Sequence, residues 1–235
     1  MSAGRILVLG CGGSSGVPAP GPKGGNWGAG DPRQPRDRRR RASILIETET
    51  TRVLVDATPD LREQLLDTGA DLDAVVFTHA HADHIHGIDD LRAVCVRRRA
   101  ALDAWAEPMV HALIEQRFGY VFAPIKGDYF YKPTLIRRDI DGAFKIGDLT
   151  ITPFAQDHGV GGRTLGLRIG DFAYSTDVWM LDEAALELLA GVKTWIVGCL
   201  SRRPNPAHAH VSRALKWIDR IGPNAAYLTH LGLSM

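Results

Sequence analysis

The chain has 235 residues, of which 45% are hydrophobic, 23% charged and 7% aromatic. This is the profile of a globular protein with a sizeable core, and it excludes a disordered or collagen-like chain. No apolar run approaches the ~20 residues a membrane span needs, and a net charge of +1 from 28 Lys plus Arg and 27 Asp plus Glu argues against a globally basic nucleic-acid binder.

The start, Met1–Arg5, runs straight into Ile6–Leu9 and is too short for a signal peptide. Period-two and short apolar runs predict strands at Ile6–Leu9, Ser43–Glu47, Arg52–Asp56 and Ala74–Thr78, then at Leu149–Phe154, Thr164–Ile169, Phe172–Thr176, Thr194–Val197 and Ala225–Thr229. Between them, Thr58-Pro59 reads as an N-cap and first helical residue, with Leu61, Leu65 and Leu66 as the apolar stripe and Gly69 as the stop. Further helices are predicted over Pro108–Phe118, Asp182–Leu189 and His208–Ile221, and Arg97–Arg99 suit a helix end. Strands alternating with helices, plus an early hairpin turning at Glu49-Thr50-Thr51, give an α/β fold with a mixed sheet, read as one domain over 1–235. Two segments, Pro18–Arg41 and Lys126–Pro133 with its Tyr129, Phe130 and Tyr131, read as long loops, functional or mobile. Cys11, Cys95 and Cys199 lie far apart with no C-x-x-C pair, which favours a reducing, cytoplasmic setting over a disulfide framework.

The chemistry concentrates in Thr78-His79-Ala80-His81-Ala82-Asp83-His84, directly after the buried run Ala74–Phe77. A strand's carboxyl end is where α/β proteins build sites. Four metal-binding groups within six residues compete for protons unless a cation holds them. The glycine-rich stretch Gly10–Gly16 lacks the G-x-G-x-x-G spacing and the Walker lysine, so close backbone approach explains it better than nucleotide binding. Ser14 and Ser15 have no partner base nearby, and His86 and His111 read as structural.

The spacing H-x-H-x-D-H resembles the signature of the metallo-β-lactamase superfamily, whose fold is a four-layer αβ/βα sandwich of two mixed sheets flanked by helices. The resemblance implies further donors at strand ends, and His158, Asp177 and His230 stand at those places. It assigns His79, His81 and His158 to one metal and Asp83, His84 and His230 to the other, with Asp177 bridging. Imidazoles and carboxylates suit Zn²⁺, Mn²⁺ or Fe²⁺, and two divalent ions, Zn²⁺ or Mn²⁺, are the cofactors expected, presenting a bridging hydroxide for hydrolysis. Gly10–Pro18, Asp56–Arg62, His84–Arg92 and Pro206-Ala207-His208 are similar to the phosphoribosyl 1,2-cyclic phosphate phosphodiesterase branch. That branch implies a small cyclic or diester phosphate as substrate, His208 as proton donor or phosphate ligand, and Asp83 as a catalytic proton acceptor beside its metal role.

The sequence departs from the branch at residues 21–30, which hold no cysteine for a third, structural metal, so the loop is held by Trp27, held by a partner, or mobile. Only Leu231–Met235 follow His230, which reads as a short form or as a missing part of the pocket wall. The partners expected are a small phosphodiester, no membrane, and a second copy of the chain as a candidate. The Arg33–Arg41 run could steer phosphate or RNA, and it alone supports the alternative of a tRNA 3′-processing endonuclease. A non-catalytic metal-binding accessory protein is the alternative of another class, and the retention of every donor argues against it.

Overall fold

The structure, a computed structural model, describes residues 4–125, 127 and 131–235. Half of the predicted aromatic loop, namely Lys126, Asp128, Tyr129 and Phe130, lies outside the described residues. The described chain divides into two compact units, one of residues 4–9 and 43–149, the other of residues 10–42 and 150–235.

In the first unit, β1 (Arg5–Gly10), β2 (Ser43–Glu47), β3 (Arg52–Val55), β4 (Ala74–Val76), β5 (Leu102–Ala106) and β6 (Leu135–Asp139) are neighbours in that order. β2 and β3 pair antiparallel, Ile44 opposite Val55, while β3 to β6 run parallel. α1 (Leu61–Thr68), α2 (Ala82–Ile85), α3 (Leu91–Arg98) and α4 (Pro108–Phe118) lie between strands, and β7 (Phe144–Ile146) follows them. Leu45, Leu54, Val75 and Leu102 of the strands share one core with Leu61, Ile85, Leu91 and Ile114 of the helices, as a buried parallel sheet requires.

In the second unit, β8 (Leu149–Asp157), β9 (Arg163–Ile169), β10 (Phe172–Ser175), β11 (Thr194–Gly198) and β12 (Ala225–Thr229) form a mixed sheet in the order β12-β11-β10-β9-β8. β8, β9 and β10 are antiparallel neighbours, and β10, β11 and β12 run parallel. α5 (Glu183–Leu189) and α6 (Val211–Ile221) cover it, with Leu186, Leu189 and Trp217 packed on Phe154, Trp195 and Val197. Two mixed sheets flanked by helices are the predicted fold class.

Several predicted boundaries are corrected. α1 starts at Leu61, not at Pro59, because Leu61 N–H bonds back to Thr58 O at 2.9 Å and the Thr58 hydroxyl takes the Asp60 N–H, forming a turn ahead of the helix. Asp182 is the N-cap of α5 rather than its first residue, its carboxylate accepting from Ala185 N at 2.8 Å. α6 begins at Val211, three residues after the predicted start at His208. Ala209 N–H is drawn to Val178 O at 2.6 Å and Leu200 N–H to Ala209 O at 3.0 Å, so residues 205–209 follow tertiary pairing instead of helix. β5, β6 and β7 went unpredicted, and of α3 only the end at Arg97–Arg99 was read. β5 is two-fifths alanine, a weak strand former, and β6 carries Arg137 and Arg138 on an exposed edge.

Loop 10–42 is fixed within its own unit. A Cβ on Gly10 would stand 2.1 Å from Arg41 O, so this glycine serves close backbone approach. Trp27 lies under the Arg38 guanidinium, 5.1 Å from ring centroid to Cζ, and Ala29 N–H bonds to Leu233 O at 2.7 Å. The cysteine-free stretch is therefore held by Trp27 packing and by the chain's last turn.

Candidate metal centre

In the first unit the donors stand at the carboxyl end of β4. Phe77 N–H still bonds to Trp105 O on β5 at 2.8 Å, but Thr78 N–H turns to Asp56 Oδ1 at 2.8 Å, and the sheet ends there. His79 and His81, two residues apart and with His81 in extended conformation, have ring centroids 4.5 Å apart. Arg117 of α4 holds the Ala80 carbonyl between them. α2 then brings round Asp83 and His84, with His84 Nε2 3.3 Å from Asp83 Oδ2 and 4.2 Å between the His79 and His84 rings. A ligand atom of His79 lies within 4.8 Å of one on His81, and the same holds for Asp83 with His84.

Asp56, fully buried just beyond β3, organises this group, a role the sequence motifs do not reveal. Its Oδ2 lies 2.7 Å from His84 Nδ1 and accepts from Thr78 Oγ1 at 2.8 Å. Because the Thr78 hydroxyl spends its proton on Asp56, its oxygen is left to accept from His79 Nδ1, 3.0 Å away. One carboxylate thus puts the proton on Nδ1 of both His79 and His84 and turns both Nε2 lone pairs outward, the arrangement that metal-binding histidines take from an outer carboxylate. Burial pushes the Asp56 carboxyl above its usual range, opposed by His84 and the Thr78 hydrogen bonds. An aspartate ending an otherwise apolar strand was the readable signal.

In the second unit His158 follows β8, Asp177 follows β10 and His230 follows β12. Asp177 Oδ1 lies 3.3 Å from His230 Nε2, 3.6 Å from His158 Nε2 and 3.8 Å from His208 Nδ1, while Oδ2 accepts from Thr176 Oγ1 at 2.7 Å. His158 Nδ1 donates to Ala207 O at 2.6 Å, which again leaves Nε2 as the nitrogen facing the carboxylate. The ring has room because Gly161 lacks a Cβ, which would sit 2.2 Å from His158 Cδ2. His208, on the loop ahead of α6 and not on the helix, stacks on His230 at 4.7 Å and meets His158 edge-on at 4.6 Å. A metal ion fits each cluster chemically: paired imidazole Nε2 atoms beside a buried carboxylate are the donor types for borderline divalent cations.

The residues read as structural behave so. His111 is buried with Nε2 3.2 Å from Arg138 O, and His86 packs edge-on against Phe118 at 5.6 Å. Within the basic run Arg33 pairs with Asp31, Arg39 with Asp37, and Arg41 donates to Ser14 O. Cys11, Cys95 and Cys199 are unpaired thiols. Among the described residues no helix is long and apolar enough to cross a membrane.

Comparison with known proteins follows the same lines. The family model for the beta-lactamase superfamily domain matches residues 51–231, a span holding all seven donors and His208. An octanoyltransferase of Porphyromonas gingivalis is 36% identical over 234 residues, 97% of this chain but 46% of that protein. A second curated relative, ribonuclease Z of Bradyrhizobium, matches over 70 residues and 23% of its length, so the chain spans less than half of the curated relatives it matches. Among solved structures, a diphosphatase of the PhnP family is 29% identical with a TM-score of 0.87, covering 98% of this chain and 87% of that one. Human tRNase Z, short form, is 12% identical with a TM-score of 0.68, covers 97% and 92%, and shares the fold alone. A match over residues 51–231, with the donors at the ends of its strands, makes the chain a member of the beta-lactamase superfamily, with the metallo-β-lactamase fold.

Proposed function

We propose that the chain is a dinuclear, metal-dependent phosphodiesterase that hydrolyses a small cyclic or diester phosphate. The observation that carries this is the proton placement around the donors: Asp56 with Thr78, and separately Ala207 O, hold Nδ1–H and turn Nε2 of His79, His84 and His158 outward. Such control has a purpose where an imidazole must present a lone pair to a cation. His79, His81 and His158 would hold one ion, Asp83, His84 and His230 the other, and Asp177 both, as the resemblance to the superfamily implies. Two divalent cations, Zn²⁺ or Mn²⁺, supply hydroxide at neutral pH and neutralise the non-bridging oxygens of a phosphate.

The chain's own residues account for the rest. His208 donates a proton to the departing oxygen or binds phosphate, a role suited to a histidine, and Asp83 accepts a proton. With no serine or cysteine nucleophile assigned, the displacement proceeds in a single step without a phospho-enzyme. A small substrate is favoured over RNA because the chain's net charge is only +1 and, within the basic run, Arg33 and Arg39 are paired with Asp31 and Asp37. Free, unpaired cysteines suit the cytoplasm.

A second reading is a diphosphate, since the solved relative at 29% identity is a diphosphatase. The test is elemental analysis after reconstitution, joined to a panel of cyclic and linear phosphodiesters, a diphosphate, a phosphomonoester, a β-lactam and an octanoyl thioester. The thioester belongs there because a P. gingivalis protein named octanoyltransferase, of which this chain matches 46%, is among the relatives. Two ions per chain and fastest turnover of a diester are expected. One ion or none, or faster monoester cleavage, would overturn the reading.

A further inference from the structure

We infer that Asn205 is a positioning residue, holding one peptide group on which both His158 and His208 depend; this rests on the metal-dependent reading above. The loop between β11 and α6 is pinned at its ends, where Leu200 N–H bonds to Ala209 O at 3.0 Å and Val211 N–H to Ser201 O at 3.0 Å. In its middle the Asn205 side chain takes over. Its Oδ1 accepts from Ala207 N at 2.8 Å and from His208 N at 3.1 Å, the local turn that asparagine forms with its own backbone.

The geometry goes further than a turn. The His208 N–H and the Ala207 C=O belong to a single planar peptide unit. Asn205 grips its N–H end, and His158 Nδ1–H, at 2.6 Å, grips its C=O end. A peptide whose N–H is accepted is a better acceptor at its oxygen, and its rigid plane passes orientation from one end to the other. Release of the N–H end therefore frees the plane to rotate, loosens the Nδ1–H bond that selects the His158 tautomer, and lets the His208 Cα shift with it. The same segment also receives Val160 N–H at Pro206 O, 3.3 Å away, so the loop carrying His158 and the loop carrying His208 move as one.

The role of Asn205 is that of an acceptor only, which makes it separable from bulk. Asn205→Asp keeps an oxygen in place, Asn205→Ala removes it, and Asn205→Gln carries it one methylene too far. In metal-free protein, amide exchange at Ala207 and His208 and the ¹⁵N signature of the His158 imidazole are read by NMR, with melting temperature as the folding control. Zn²⁺ affinity is then read by chelator competition. Asn205→Ala and Asn205→Gln are expected to lose amide protection, mix the His158 tautomers and weaken Zn²⁺ by ~10–100-fold, the usual effect of removing an outer partner of a ligand, while Asn205→Asp restores all three. Wild-type exchange and tautomer in Asn205→Ala would overturn the inference, and so would an Asn205→Asp variant as impaired as alanine. If the wild type binds no Zn²⁺, the metal-dependent reading falls, while the two metal-free measurements still decide the role of Asn205.

Discussion

Replacing Asp56 by Asn changes one atom in a fully buried site and should reverse the proton order of two histidines. The backbone tolerates the exchange, because Asp56 has φ 66° and asparagine is at home in the left-handed region. Thr78 N–H, 2.8 Å from Oδ1, needs an acceptor, which fixes the amide oxygen there and places the NH₂ where Oδ2 stood. That NH₂ faces His84 Nδ1 at 2.7 Å and Thr78 Oγ1 at 2.8 Å. If His84 keeps its Nδ1 proton, two buried donors collide, at a cost of about 1–3 kcal/mol. Moving that proton to Nε2 avoids the clash. The Thr78 hydroxyl, now accepting from the amide, then donates to His79 Nδ1, so His79 also carries its proton on Nε2. Both nitrogens proposed as ligands become N–H groups. Metal affinity should therefore fall by at least the ~10–100-fold typical of lost outer partners, while metal-free stability should change by less than the about 1–3 kcal/mol that an unrelieved clash of donors would cost. Chelator competition and denaturant unfolding of the metal-free protein measure the two. Two ions bound at wild-type affinity in Asp56→Asn would refute the tautomer argument.

Gly161→Ala places a methyl 2.2 Å from His158 Cδ2, so it should turn the ring and weaken metal binding with little change in melting temperature; wild-type affinity would mean that the ring has slack. Burial holds the His111 pKa below its usual value, against Arg138 O and the neighbouring Asp139 and Glu115, with Arg137 adding to the shift. The unfolded chain therefore binds the extra proton first, and stability should fall as pH drops below ~6.5, by at most ~1.4 kcal/mol per pH unit for one proton. His111→Leu should remove that part of the slope in metal-free unfolding curves, and parallel curves for both proteins would exclude His111 as the source. His208→Ala should keep both metals and lose ~10²–10⁴ in rate, with a smaller loss for a nitrophenyl ester whose leaving group needs no proton. Equal losses for good and poor leaving groups would assign His208 to phosphate binding.

The donors were legible because five of the seven lie just beyond the ends of apolar or periodic runs: His79 and His81 after β4, His158 after β8, Asp177 after β10, His230 after β12. Strands with polar faces or few β-branched residues, such as β5 with Ala104 and Ala106 and β6 with its arginine pair, left too faint a pattern. The outer partners were illegible for another reason. Asp56 meets Thr78 and His84 across 22 and 28 positions of chain, and Asn205 reaches His158 through a backbone carbonyl that any residue supplies. Hydrogen bonds to backbone leave no mark on residue type. The placement of His208 failed because helix periodicity was extended over residues that tertiary hydrogen bonds hold in a loop.

The same strand ends show where this fold stores strain. Asp56, Asp177 and His230 have φ of 66°, 45° and 55°, three of the five non-glycine residues with positive φ among those described. Each follows a strand, and the left-handed turn throws its side chain back over the sheet edge, where extended backbone would send it to one face. Such residues cost on the order of 1–3 kcal/mol each and persist when the surroundings over-determine them. At Asp177 the surroundings are Thr176 Oγ1 on Oδ2 and the Thr164 hydroxyl on its backbone oxygen at 3.2 Å. A matched pair of variants separates strain from side-chain function. Asp177→Ala and Asp177→Gly both lose the carboxylate, and both should lose metal binding. Only alanine keeps the steric cost of positive φ, so the metal-free glycine variant should be the more stable by about 1 kcal/mol. Denaturant unfolding of the two metal-free proteins gives the difference directly. If alanine proves as stable as glycine, the backbone at 177 is relaxed, and the carboxylate position is set by its hydrogen bonds rather than by a strained turn.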